Sequence, residues 1–135
     1  MKNYVFDSFA LIAFFEDEEG ADRVETILEQ LFRKKARGFM SVINWGEIYY
    51  STMREQGEEK ADAVIQQFQR YPIELADIDK TLTYEAAKLK GKYKIAYADC
   101  FAAALARRLN ARLVTGDAEF QQLENQVDIE WISKL

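Results

Sequence analysis

Short apolar runs alternate with segments of helical period along this chain, and no other feature narrows its fold so far. Asn3 to Phe6, "GFMSVI" (Gly38 to Ile43), "IELADI" (Ile73 to Ile78), "ARLVT" (Ala111 to Thr115) and "VDIEWI" (Val127 to Ile132) read as strands. Helical segments fill the gaps. The first runs on to about Phe15, and Glu18 to Lys35 sets Val24, Ile27, Leu28 and Leu31 on one face. Others cover Asn44 to Gln56, about Glu59 to Arg70, Thr81 to Lys90, and Ala98 to Leu109. Strands separated by helices pair in parallel, and a parallel sheet needs both faces covered. The pattern predicts a three-layer α/β/α sandwich around a central, mainly parallel sheet of about five strands. No linker, repeat or low-complexity tract divides residues 1–135, so a single domain is expected.

The apolar frame raises a question at its first turn. In "YVFDSFALIAFF" (Tyr4 to Phe15) one ionisable group, Asp7, stands inside an apolar run. A buried carboxylate without a partner costs several kcal/mol, so it is paired, protonated or bound to a cation.

Composition limits what can answer. The chain has no histidine, which excludes Ser-His-Asp and Cys-His nucleophile systems and histidine acid–base pairs. Cys100 is the only cysteine, so there is no internal disulfide, and one Cys with no His argues strongly against a structural zinc site. A reducing cytoplasm is the simplest expected compartment. No apolar stretch approaches the ~20 residues of a membrane span, and the N-terminus does not read as a signal peptide. Chemistry here must come from carboxylates, Lys, Tyr, Ser/Thr or a hard metal with oxygen ligands.

In parallel α/β sheets ligands bind at the carboxyl ends of the strands. That rule selects four of the 23 acids. Asp7 follows the first strand and is also placed to cap the next helix. Glu47 follows the second in "SVINWGEIYY", where Asn44 and Glu47 have the spacing of a capping box. Asp99 opens a helix in "AYADCFAAALA", where an acid suits the helix dipole. Asp117 ends the fourth strand in "LVTGDAEF", with Thr115 two residues earlier. Each has a purely structural reading as a cap or turn residue. Together they gather at successive strand–helix junctions, where converging carboxylates repel unless a cation sits among them. One or two Mg²⁺ or Mn²⁺ ions would answer the question Asp7 poses.

The net charge of −5 argues against general nucleic-acid binding. Two basic runs stand out, "RKKAR" (Arg33 to Arg37) and "KLKGKYK" (Lys88 to Lys94). They are either solvated helix ends or a phosphate-contacting rim around an acidic centre.

"VFDSFALIAFF", "SVINWGEIYYS" and "YADCFAAALARRLNARLVTGDAEFQQL", in that order, resemble the PIN-domain family, and more narrowly the VapC-type ribonuclease toxins of prokaryotic toxin–antitoxin systems. The resemblance covers nearly the whole chain. It implies a parallel α/β/α fold and a Mg²⁺- or Mn²⁺-dependent endoribonuclease. It places the family's acids on Asp7, Glu47, Asp99 and Asp117 as metal ligands and catalytic groups. Thr115, Asn44 and Ser8 fall in supporting positions, and Glu119 is a second acid able to share the role of Asp117. It further implies RNA as substrate, a homodimer, and an antitoxin protein, VapB-like or similar, for whose contacts Phe14, Phe15, Trp45, Tyr49 and Tyr50 are candidates. Lys88, Lys90, Lys92, Arg107 and Arg108 are candidates for RNA backbone contact. Two readings compete on the same fold: an RNA-processing nuclease without an antitoxin, and a catalytically silent binding module. A receiver domain would need an acidic pair after the first strand and a late Lys, and a haloacid-dehalogenase phosphatase would need Asp-x-Asp where this chain has "DSF".

Overall fold

The computed structural model describes residues 1–133. In chain order its elements are β1 (Lys2–Phe6), α1 (Ser8–Phe15), α2 (Ala21–Phe32), β2 (Ala36–Ser41), α3 (Val42–Gln56), α4 (Glu58–Phe68), β3 (Ile73–Ala76), α5 (Lys80–Lys92), α6 (Tyr97–Arg108), β4 (Arg112–Thr115), a short 3₁₀ helix (Ala118–Leu123) and β5 (Ile129–Trp131).

The five strands form one sheet in the order β3-β2-β1-β4-β5, and every pair is parallel. Successive side chains of a strand point to opposite faces, so each strand feeds two cores. Val5, Phe39 and Leu113 face a core made with α5, α6 and the 3₁₀ helix. Tyr4, Phe6, Met40 and Val114 face a core made with α1 to α4. Val5 and Phe6 have no exposed surface, and full burial of side chains of this size contributes about 1.5–3 kcal/mol each. Ala102, Ala103, Ala104 and Ala106 let α6 lie close on the sheet, and this helix is buried from Asp99 to Ala106.

Starting from β1, the chain builds outward through β2 to β3, then returns to the other side of β1 with β4 and β5. The winding direction therefore changes between β1 and β4. The carboxyl ends of strands at such a switch point leave an open crevice. Phe6 pairs with Val114 there, and the Asp7 N–H bonds to the Val114 carbonyl at 3.3 Å.

The layers match the sequence expectation, while several boundaries differ. The second strand spans 36–41 rather than 38–43, because the Ser41 hydroxyl accepts the Asn44 N–H at 3.1 Å and caps α3. Val42 and Ile43 are thereby drawn into the first helical turn, and Ser41, not Asn44, is the cap. The segment expected as one helix over 18–35 is helical only from Ala21 to Phe32, after Gly20 at φ +97°. The third strand stops at Ala76, and Asp79 starts α5 by accepting the Leu82 N–H at 2.7 Å.

Candidate active site

Asp7 is the last residue before α1 and is 1% exposed. One carboxylate oxygen accepts the Ala10 N–H at 2.9 Å, so Asp7 is the helix cap. The other accepts the Thr115 hydroxyl. Thr115 is itself fully buried, and its hydroxyl also accepts the Asp117 N–H at 3.0 Å. The side chain left unexplained by its apolar setting thus has two protein partners, and one of them links the ends of β1 and β4.

Asp99 lies in the first turn of α6, and Asp117 and Glu119 lie at the turn out of β4. Each offers a carboxylate oxygen within 4.8 Å of the other two. Asp117 is oriented by accepting the Glu119 N–H at 2.9 Å.

Glu47 projects from the second turn of α3. Its Oε1 accepts from the Ser8 hydroxyl at 3.0 Å and from Asn44 Nδ2 at 3.0 Å. Asn44 is fully buried, donates a second bond to the Ala98 carbonyl at 3.2 Å, and accepts the Ser41 hydroxyl at 2.6 Å. The three-residue spacing of Asn44 and Glu47 is thus a side-chain bridge within the helix, not a capping box. That bridge also ties α3 to the start of α6, beside Asp99.

Ser8, Phe9, Ile12, Glu18, Glu47, Asp99 and Asp117 line one pocket of about 290 Å³. Asp7 lies behind its acidic wall. The clustering and burial disturb the acids. Asp7 is pushed up to about 8, first by burial, with Asp99 and Asp117 adding to it against the Thr115 and Ala10 hydrogen bonds. Asp99 is pushed up to about 7, again first by burial, then by the charges of Glu47, Asp117 and Glu119. Raised carboxyl values of this kind mark a place that lacks compensating positive charge. An all-oxygen donor set with three converging carboxylates fits a hard divalent cation such as Mg²⁺ or Mn²⁺.

The sequence-predicted acids therefore divide into groups. Asp99 and Asp117 converge, joined by Glu119. Glu47 and Ser8 line the same pocket, and Asp7, Thr115 and Asn44 stand behind it. Glu18, Phe9 and Ile12 also line the pocket, and no motif announced them.

The basic candidates separate. Lys90 donates to the Ile95 carbonyl at 2.9 Å and, with Lys92, ends α5 just before α6 begins near Asp99. Lys88 sits over the Tyr84 ring at 4.7 Å and pairs with Glu85. Arg107 and Arg108 lie at the far end of α6, roughly 13 Å along the axis from Asp99 at 1.5 Å per residue. Arg108 is held there by Asp79 through two bonds of 2.9 Å. "RKKAR" lies at the amino end of β2, the sheet edge opposite the acids. Of the aromatic candidates, Phe14 and Phe15 pack against Tyr71, while Tyr50 is 46% exposed.

No curated protein sequence matches the chain. Solved structures match its fold. VapBC2 from Rickettsia felis, bound to a DNA fragment from its promoter, has a TM-score of 0.75 at 22% identity, covering 95% of this chain and 97% of that one. VapBC-1 from nontypeable Haemophilus influenzae has a TM-score of 0.71 at 20% identity, covering 98% and 99%. VapC20 from Mycobacterium tuberculosis, a sarcin-ricin loop cleaving toxin, has a TM-score of 0.67 at 15% identity, covering 90% and 94%. The PIN domain family model matches residues 4–126, which include every acid of the site, and the chain belongs to the PIN domain family.

Proposed function

We propose that this chain is a divalent-metal-dependent endoribonuclease and the toxin of a toxin–antitoxin pair. The observation that carries the reading is the convergence of Asp99, Asp117 and Glu119 within 4.8 Å at the switch point of a PIN-family sheet. These three carboxylates would hold Mg²⁺ or Mn²⁺, one ion or two, with Glu47 on the same pocket wall. The ion would supply Lewis-acid chemistry, acidifying water and neutralising charge that develops on phosphoryl oxygens.

The chain's own residues do the positioning. Thr115 and the Ala10 N–H fix Asp7, and Thr115 passes that order to the Asp117 backbone. Asn44 and Ser8 pin one oxygen of Glu47, which sets its carboxylate toward the pocket. Substrate is RNA, and Lys90 and Lys92 stand on the side where its backbone would approach. The fold likeness to VapBC complexes supports an antitoxin partner, and assembly as a homodimer is what the family resemblance implies. The proposed setting is the cytoplasm, where RNA is abundant and a lone thiol such as Cys100 is stable. Among the described residues no helix is long and apolar enough to cross a membrane.

The test is cleavage of a mixed RNA substrate by wild type and Asp7→Asn in Mg²⁺, Mn²⁺ or EDTA. The expected result is cutting that requires metal and disappears in Asp7→Asn. A wild type that is inert with every metal, and whose Tm Mn²⁺ does not raise, would refute the reading in favour of a binding module.

A further inference from the structure

The pocket is lined by groups of opposite character: Glu18, Glu47, Asp99 and Asp117 supply carboxylates, and Phe9 and Ile12 supply apolar surface. Phe9 is the second residue of α1, whose first turn Asp7 caps, so its backbone is rigid. Phe9 is 42% exposed, whereas Phe6 and Phe120 in the cores are fully buried.

Gly116 explains where the ring lies. A Cβ there would come within 2.5 Å of Phe9 Cε1, and within 3.1 Å of Ile132 Cγ1. The residue between Thr115 and Asp117 has no side chain, and the Phe9 ring occupies that space. One part of the ring is thus anchored on the turn that carries Asp117, and the rest stays open to the pocket.

We infer that Phe9 is a stacking platform for a base of single-stranded RNA, seating the nucleotide next to the phosphate that meets the acids. This rests on the nuclease reading above. An anionic phosphate gains nothing from a phenyl ring, and a nucleobase offers the flat apolar face that does. Stacking on an aromatic ring is tolerant of base identity, because every base has a π-face. Phe9 would therefore hold RNA without reading its sequence, and would exclude duplexes, whose bases are already stacked.

The test compares wild type with Phe9→Ala, Phe9→Leu and Phe9→Tyr. Steady-state cleavage of a short single-stranded RNA is measured in Mn²⁺, and binding of the same RNA, fluorescein-labelled, is measured in Ca²⁺. The expected result is a Kd and KM raised about 5- to 150-fold in Phe9→Ala and Phe9→Leu, the range of one lost base stack, with Phe9→Tyr near wild type. An abasic nucleotide scanned along the RNA should cost wild type the same factor at one position and cost Phe9→Ala nothing more there. Unchanged Kd and KM in Phe9→Ala, or Phe9→Leu equal to Phe9→Tyr, would overturn the platform and leave the ring as a protein-docking or packing surface. RNA binding that depends on Phe9 in a protein that does not cut would uphold the platform and refute the nuclease. A wild type that neither binds nor cuts single-stranded RNA would refute both.

Discussion

The Thr115 hydroxyl donates to the Asp7 carboxylate while accepting the backbone N–H of Asp117, so one side chain joins the ends of β1 and β4 behind the acidic pocket. Thr115→Val preserves the shape and removes both bonds inside a buried site. Leaving a buried carboxylate without this donor costs about 1–3 kcal/mol. Chemical denaturation should show that loss in Thr115→Val and little of it in Thr115→Ser. Equal stability of the two variants would mean the hydroxyl is not holding Asp7.

The pH dependence of the metal-free protein has a definite sign. Asp7 is raised from an ordinary 3.8 to about 8, and Asp99 from 3.8 to about 7. Between those limits the folded chain holds protons that the unfolded chain has released, so stability falls as pH rises. The contribution is complete below the unfolded value near 3.8 and is lost as pH climbs through about 7 and then about 8. Thermal scans without metal should show Tm declining across that window, with a shallower decline in Asp7→Asn. Mn²⁺ competes with those protons, so its stabilising effect should grow with pH. A metal-free Tm that rises with pH would contradict the assignment.

Asn44 joins α3 to the start of α6 through its bonds to Glu47 and the Ala98 carbonyl. Asn44→Ala should cost about 1–3 kcal/mol, because it strands buried partners. Under the proposed function it should also lower kcat more than it changes KM, since it frees Glu47 without touching substrate. Calorimetry and steady-state kinetics on the same preparation check both expectations.

The placement of the basic residues separates two groups. Arg107→Ala and Arg108→Ala should leave the KM for RNA unchanged, and losing the exposed, solvent-screened Arg108–Asp79 pair should change stability little. Lys92→Ala should raise KM and flatten the salt dependence of binding, as the loss of one phosphate contact does. A salt response that follows the arginines would place the RNA path at the other edge of the sheet.

Much of this arrangement was legible in the sequence. The alternation of apolar runs and helical periods is a local signal, and it gave the layers. The positions of Asp7, Glu47, Asp99 and Asp117 at strand–helix junctions followed from it. Contacts between distant residues left no such signal. Asn44 and Glu47 had the spacing of a capping box, but Ser41 competed for the cap and won. Arg107 and Arg108 were candidates for RNA contact, yet the seven helical residues between Asp99 and Arg107 carry them to the far end of α6. Phe9 read as one apolar residue among many, because its exposure depends on where Gly116 and Ile132 come to rest. No motif marked Glu130, which lay inside the segment read as the fifth strand. It is buried, held by Arg112 of the neighbouring strand at 2.7 Å and by Arg23 of α2, partners that are distant in the chain.

The central claim is that Asp99, Asp117 and Glu119 form a divalent cation site, and direct Mn²⁺ titration by calorimetry or electron paramagnetic resonance tests it without RNA. The account predicts saturable binding of one or two Mn²⁺ by wild type, abolished in Asp99→Asn and retained in Glu130→Gln, which lies outside the pocket. Equal Mn²⁺ affinity in wild type and Asp99→Asn would contradict it.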